Sequence, residues 1–145
     1  RTPIFVTHKD SITPRREKET LASTIDIAPT ILKACGIERD KAMSGLDLRK
    51  PELLAKRGRV FVDIYDRDIN IEAVGDLHSD ILSRVVVKGW HKLIALREGN
   101  ELYNLKNDPH DSQDISAQYP EKVKEMSTLI DKWLDATPMV FNQNP

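Results

Sequence analysis

Three short runs rich in Val, Ile, Leu and Tyr lie between Arg84 and Leu105, parted by Gly89-Trp90 and by Glu98-Gly99-Asn100. Glycine supplies the positive backbone torsions that tight turns need, and breaks this short join strands only as hairpins. The stretch therefore predicts an antiparallel meander. It ends after Leu105 at Lys106-Asn107-Asp108-Pro109-His110-Asp111. Proline has no amide to donate to a ladder, and Asn and Asp bond their own backbone in turns.

A sheet with one apolar face needs a cover, and the tail of the chain provides one. Pro120 suits a helix start, Glu121 suits its first turn, and Val123, Met126, Ile130, Trp133 and Leu134 recur at helical spacing until Pro138 limits the run. This stripe is expected to pack across the meander, with Trp133 in the core. Arg59 to Tyr65 alternates Val60, Val62 and Ile64 against Phe61, Asp63 and Tyr65, and reads as the first strand of the same sheet.

Arg84-x-Val86-x-x-Gly89-x-x-Lys92-Leu93-Ile94, followed by Glu101-Leu102-Tyr103-Asn104-Leu105-x-Asn107-Asp108-Pro109, resembles the C-terminal subdomain of the sulfatase family. Asp111 stands where that family usually has Glu, and Asp114 where it usually has Asn. The earlier part of the chain carries two more segments of the same resemblance. Ser23-Thr24-Ile25-Asp26-Ile27-Ala28-Pro29-Thr30-Ile31-Leu32 is similar to a helix near the end of the catalytic domain in sulfatases and their relatives in the alkaline phosphatase superfamily. Ser44-Gly45-Leu46-Asp47-Leu48, with Pro51 to Leu54, is similar to the linker that follows it.

Read by itself, the first third of the chain suits the same assignment. Thr2 to Thr7 predicts a buried parallel strand, and the polar stretch to Glu19, with Arg15, Arg16 and Lys18, reads as a solvated loop. Ser23, Thr24 and Asp26 can cap a helix that Gly36 stops, with Ile27, Ile31, Leu32 and Cys35 expected on its buried face. The fold class is thus α+β: a small antiparallel sheet packed by a C-terminal helix over 56–145, preceded over 1–50 by the last strand and helix of an α/β catalytic domain.

Lys and Arg total 22 against 23 Asp and Glu, a net charge of -1, so no basic field is present to hold nucleic acid or an anionic membrane. No apolar run approaches the roughly 20 residues that span a bilayer. The single Cys35 excludes an internal disulfide. Asp66, Asp68 and Asn70 start like a calcium loop, but Ile71 stands at the glycine position and Leu77 at the closing glutamate. His78 between Asp76 and Asp80 reads better as part of a solvated loop than as a metal ligand.

The resemblance implies sulfate ester hydrolysis by a formylglycine made within Cys/Ser-x-Pro/Ala-x-Arg, beside a calcium ion. Cys35-Gly36-Ile37-Glu38-Arg39 does not fit that motif, and the carboxylate pairs for the metal are also missing. No catalytic residue and no metal ligand is therefore assigned within this chain. The implied partners are the N-terminal catalytic domain of the same polypeptide and a sulfated small molecule or glycan, with a homodimer through the 2–7 strand as a further expectation. The family's setting implies a periplasmic, secreted or lysosomal location. Two other readings stay open: the equivalent part of a phosphodiesterase or phosphonate monoester hydrolase, and a non-catalytic carbohydrate-binding module built on Trp90.

The connection from Asp66 to Ser83 has no sustained period, and a polar loop of that length on a rigid scaffold is expected to border a substrate cleft. His78 and Arg84 are its rim candidates, Arg84 because a guanidinium can pair bidentately with sulfate. Ester cleavage needs an activated nucleophile, charge stabilisation and an acid for the leaving oxygen, each contributing several kcal/mol. Purified 1–145 is accordingly expected to turn over no aryl sulfate, with or without calcium. Turnover that disappears when a residue of this chain is mutated would refute this.

Overall fold

The computed structural model describes residues 3–7, 14, 16–65 and 81–136. They divide into two units, 1–60 and 61–145, each with its own organising contacts.

The second unit is the predicted meander. Strands β1 (Val60–Tyr65), β2 (Ile81–Lys88), β3 (His91–Leu96) and β4 (Gly99–Asn104) lie in that order in one antiparallel sheet. Gly89 has φ 56° in the turn that the Lys88 and His91 pair closes, a torsion that costs a residue with a Cβ. The register then aligns Val86 with Leu93 and Leu93 with Leu102. Side chains alternate along a strand, so this pairing gathers one fully buried aliphatic residue from each of three strands into a row on one face.

Helix α1 will denote Ile27–Ala34, α2 Pro51–Leu54 and α3 Pro120–Ala136. Helix α3 lies over β2, β3 and β4 and sets Met126 and Ile130 against the aliphatic row. Phe61 from β1 stacks on Trp133 with ring centroids 4.7 Å apart and planes 4° from parallel. Val123 and Leu134 pack at the border of the same core. The tail therefore covers the face the sequence assigned to it.

Polar bonds fix the ends of this layer. Lys88 Nζ lies 2.5 Å from Glu125 Oε1, and Lys122 Nζ 2.8 Å from its other oxygen, which together hold the carboxyl at about 2. Beyond β4 the chain turns back along the sheet's outer edge. The Leu102 amide donates to Asp114 Oδ1 at 2.9 Å, the Ile115 amide to the Leu102 carbonyl at 2.9 Å, and the Asp108 amide to the Asn104 carbonyl at 2.8 Å.

The first unit is organised by a buried carboxylate. A 3-10 turn at Thr24–Asp26 leads into α1, which Gly36 ends at φ 72° with the Ile37 amide donating to the Leu32 carbonyl at 2.8 Å. Asp26 is fully buried. It accepts the amides of Ser23 at 2.8 Å and Leu46 at 2.7 Å, and both terminal nitrogens of Arg57 at 2.5 and 2.6 Å. Thr30 Oγ1 donates to the Asp26 carbonyl at 2.6 Å and accepts the Leu48 amide at 2.9 Å. The linker thus lies against α1 so closely that a Cβ at Gly45 would sit 2.0 Å from the Ile25 carbonyl oxygen.

Two expectations fail in this unit. Residues 3–7 form no strand: Ile4 and Val6 are half-buried and Phe5 is 88% exposed. An apolar alternation defines a face, but a strand exists only when neighbours satisfy its amides and carbonyls. The buried side of α1 is also the reverse of the expected one. Asp26, Pro29 and Thr30 are buried, Leu32 is half-buried, and Ile27, Ile31 and Cys35 are exposed. Six directed bonds on the polar side place that side inward.

Burial alone would raise the Asp26 pKa, but Arg57 and the amides of Leu46 and Ser23 outweigh it and hold the carboxyl below its ordinary 3.8. Its contribution is therefore complete above the unfolded value and is lost as pH falls through the lower folded one. We expect the first unit to loosen only in strong acid, below about pH 4 by that linkage. Arg57→Ala, which strands the carboxylate, should cost about 3–5 kcal/mol at neutral pH. Amide exchange over 24–48 at several pH values measures both, and protection unchanged by Arg57→Ala would show that the pair does not hold the unit.

Candidate cleft rim

Strand β2 presents Arg84 beside Ala95 of β3, on the side of the sheet that α3 covers. Its Nε faces Asp63 Oδ1 of β1 at 3.6 Å, with side-chain exposures of 22% and 17%. That distance is an ion pair and exceeds a hydrogen bond. It fixes one edge of a planar fork that has five donors, so Arg84 is held in position in the first half of β2. His78 and the rest of the 66–80 connection lie outside the described residues.

The opposite face of the sheet bears a second polar group. Lys92 Nζ lies 2.5 Å from Asp111 Oδ2 and 5.9 Å from the centre of the Tyr103 ring. The Tyr103 hydroxyl donates to Glu101 Oε2 at 2.9 Å, and desolvation with that carboxylate pushes the phenol up to about 12. Asp111 adopts φ 55°, a left-handed torsion that Asp tolerates better than most residues. Asp114 accepts the amides of Leu102 and Ser116, both at 2.9 Å. The two departures from the family pattern thus have structural roles: Asp111 answers Lys92, and Asp114 closes the β4 edge.

Among the described residues no three His, Cys, Asp or Glu side chains come close enough to hold a metal ion. His91 loses solvent at the start of β3 and lies near Lys122, and these two effects outweigh the nearby Glu125 and lower its pKa. Cys35 is exposed at the end of α1. The residues sequence reasoning missed are Asp26 and Arg57 acting as a pair. Asp26 looked like a helix cap, and nothing local in the sequence marks a partner 31 positions away.

Against known proteins, residues 1–137 match the family model described as N-sulphoglucosamine sulphohydrolase, C-terminal. Arylsulfatase K of Xenopus laevis is 26% identical over 131 residues, which are 86% of this chain and 24% of that protein. A putative sulfatase from Bacteroides thetaiotaomicron has the same fold with a TM-score of 0.57 and 21% identity, over 77% of this chain and 24% of its own. BT4656, solved with its substrate D-glucosamine-2-N,6-O-disulfate, gives 0.55 and 23%, over 80% and 25%. The chain spans about a quarter of the length of these relatives.

A double-mutant cycle tests how firmly Arg84 is committed to the sheet. Asp63→Asn and Arg84→Gln, alone and together in 1–145, should show a coupling of about 1 kcal/mol or less by urea denaturation, as expected of a partly solvated pair. A coupling of several kcal/mol would make Arg84 a core ion and remove it from the rim.

Proposed function

Because the chain belongs to the N-sulphoglucosamine sulphohydrolase C-terminal family, we propose that it is the C-terminal part of a longer sulfatase that cleaves sulfate from a sulfated small molecule or glycan. The observation that carries this reading is the extent of the match, which takes in the α1 segment, the linker, the sheet and α3 together. In this reading the chain supplies scaffold, and the 66–83 connection with His78 and Arg84 borders the cleft. The rest of the polypeptide is its partner, and the formylglycine and calcium belong to that part. A periplasmic, secreted or lysosomal setting goes with the same proposal.

The carbohydrate-binding alternative is weakened because Trp133 is stacked on Phe61 and cannot join Trp90 in an exposed row. The phosphodiesterase alternative is separated by chemistry. The longer polypeptide should contain Cys/Ser-x-Pro/Ala-x-Arg ahead of Arg1 and release sulfate from an aryl sulfate or a sulfated glucosamine, with loss on replacing the motif's Cys or Ser by Ala. His78→Ala and Arg84→Ala should shift kcat/KM differently for different substrates. Turnover of phosphodiesters from a threonine or serine motif, without sulfate release, would overturn the proposal, and unchanged kcat/KM values would remove the rim residues from it.

A further inference from the structure

Helix α1 has an outer face that solvent alone does not explain. Ile27, Ala28, Ile31, Ala34 and Cys35 are all exposed, and at 100° per residue they fall on one continuous side. Ile27 is 42% and Ile31 56% exposed, with Ile25 of the preceding turn at 52%. The helix has one charged residue, Lys33, and it lies off this stripe. A solvated helix normally turns its charges outward and its apolar side to the core. Here Asp26 and Thr30 are held inward, so apart from the exposed Lys33 the part of α1 that meets water is apolar.

We infer that this stripe is the surface by which the chain seats on the remainder of the sulfatase polypeptide, against an apolar face that this remainder provides. The inference rests on the functional reading above and names the contact that reading requires. The chain is about a quarter of its relatives' length, which leaves a large body to provide the cover. Ala28, Ala34 and Cys35 are small and let such a face approach the helix, while the two isoleucines project into it. A second copy of the chain fits less well. Eight residues give a helix about 12 Å long. Two such stripes placed face to face bury far less than the roughly 1,200 Å² of a stable interface. A covalently attached partner avoids most of the association entropy that two separate chains must overcome.

Cys35 is the chain's one cysteine and lies on the stripe, so its reactivity reads the contact directly. A maleimide probe should label Cys35 rapidly in 1–145. In the native longer polypeptide, with the Cys35 peptide followed by mass spectrometry, labelling should slow by about tenfold or more and recover in denaturant. Ile27→Glu combined with Ile31→Glu in the longer polypeptide should restore fast labelling, whereas Lys33→Glu should not. Equal rates for Cys35 in wild-type 1–145 and in the native longer polypeptide would overturn the inference, and this comparison needs no variant. Protection in 1–145 that rises with its concentration would assign the stripe to a second copy and also overturn it. Sulfate release is measured on the same sample. A protected but inactive polypeptide would defeat the functional reading and leave the contact, and an active one with open Cys35 would do the reverse.

Discussion

The row formed by Val86, Leu93 and Leu102 is the constraint on which the second unit depends. Fully burying a side chain of this kind is worth about 1.5–3 kcal/mol, but only when all three strands keep their register. A slip of one residue would turn the row to the other face and present Val85, Ile94 and Glu101 to α3 in its place. Met126 and Ile130 would then meet a carboxylate. The glycine turn between β2 and β3 and the pairing of Lys88 with Glu125 both favour the correct register, so the local turn, the core and the surface charges agree.

In the first unit the corresponding role falls to a polar group. Asp26 is a carboxylate with no access to water, and such a group is tolerated only when nearly every lone pair is answered. Its donors come from the preceding turn, the linker and the segment after α2. Satisfying one charge therefore arranges three separate pieces of backbone, and an apolar residue of the same volume could pack there without arranging any of them.

What the sequence revealed follows from this contrast. The meander and the 120–136 helix were legible because alternation, glycine turns and a 3.6-residue stripe are local patterns that name the face to be buried. The inward side of α1 was not, since amphipathicity separates two sides of a helix without saying which one a neighbour will occupy. Asp26 meets donors 20 and 31 residues away, and its resemblance to an ordinary cap concealed them. The strand expected over 2–7 failed for a related reason: pairing depends on a partner, and its own residues do not specify one. The sequence singles out Arg84 for its guanidinium, but Asp63 in the adjacent strand has no local mark as its counter-ion.

The return of the chain along β4 has a consequence for how this sheet could grow. The amide and carbonyl of Leu102 and the carbonyl of Asn104 point away from β3, where an incoming strand would dock, and they are already engaged by Asp114, Ile115 and Asp108. A templating strand from another molecule would have to displace a charged loop anchored to the turn after the sheet. Polymerisation of the kind that joins sheets edge to edge is thus blocked along this side. Asp114 acts here as a gatekeeper, a role its position in a turn signature does not announce.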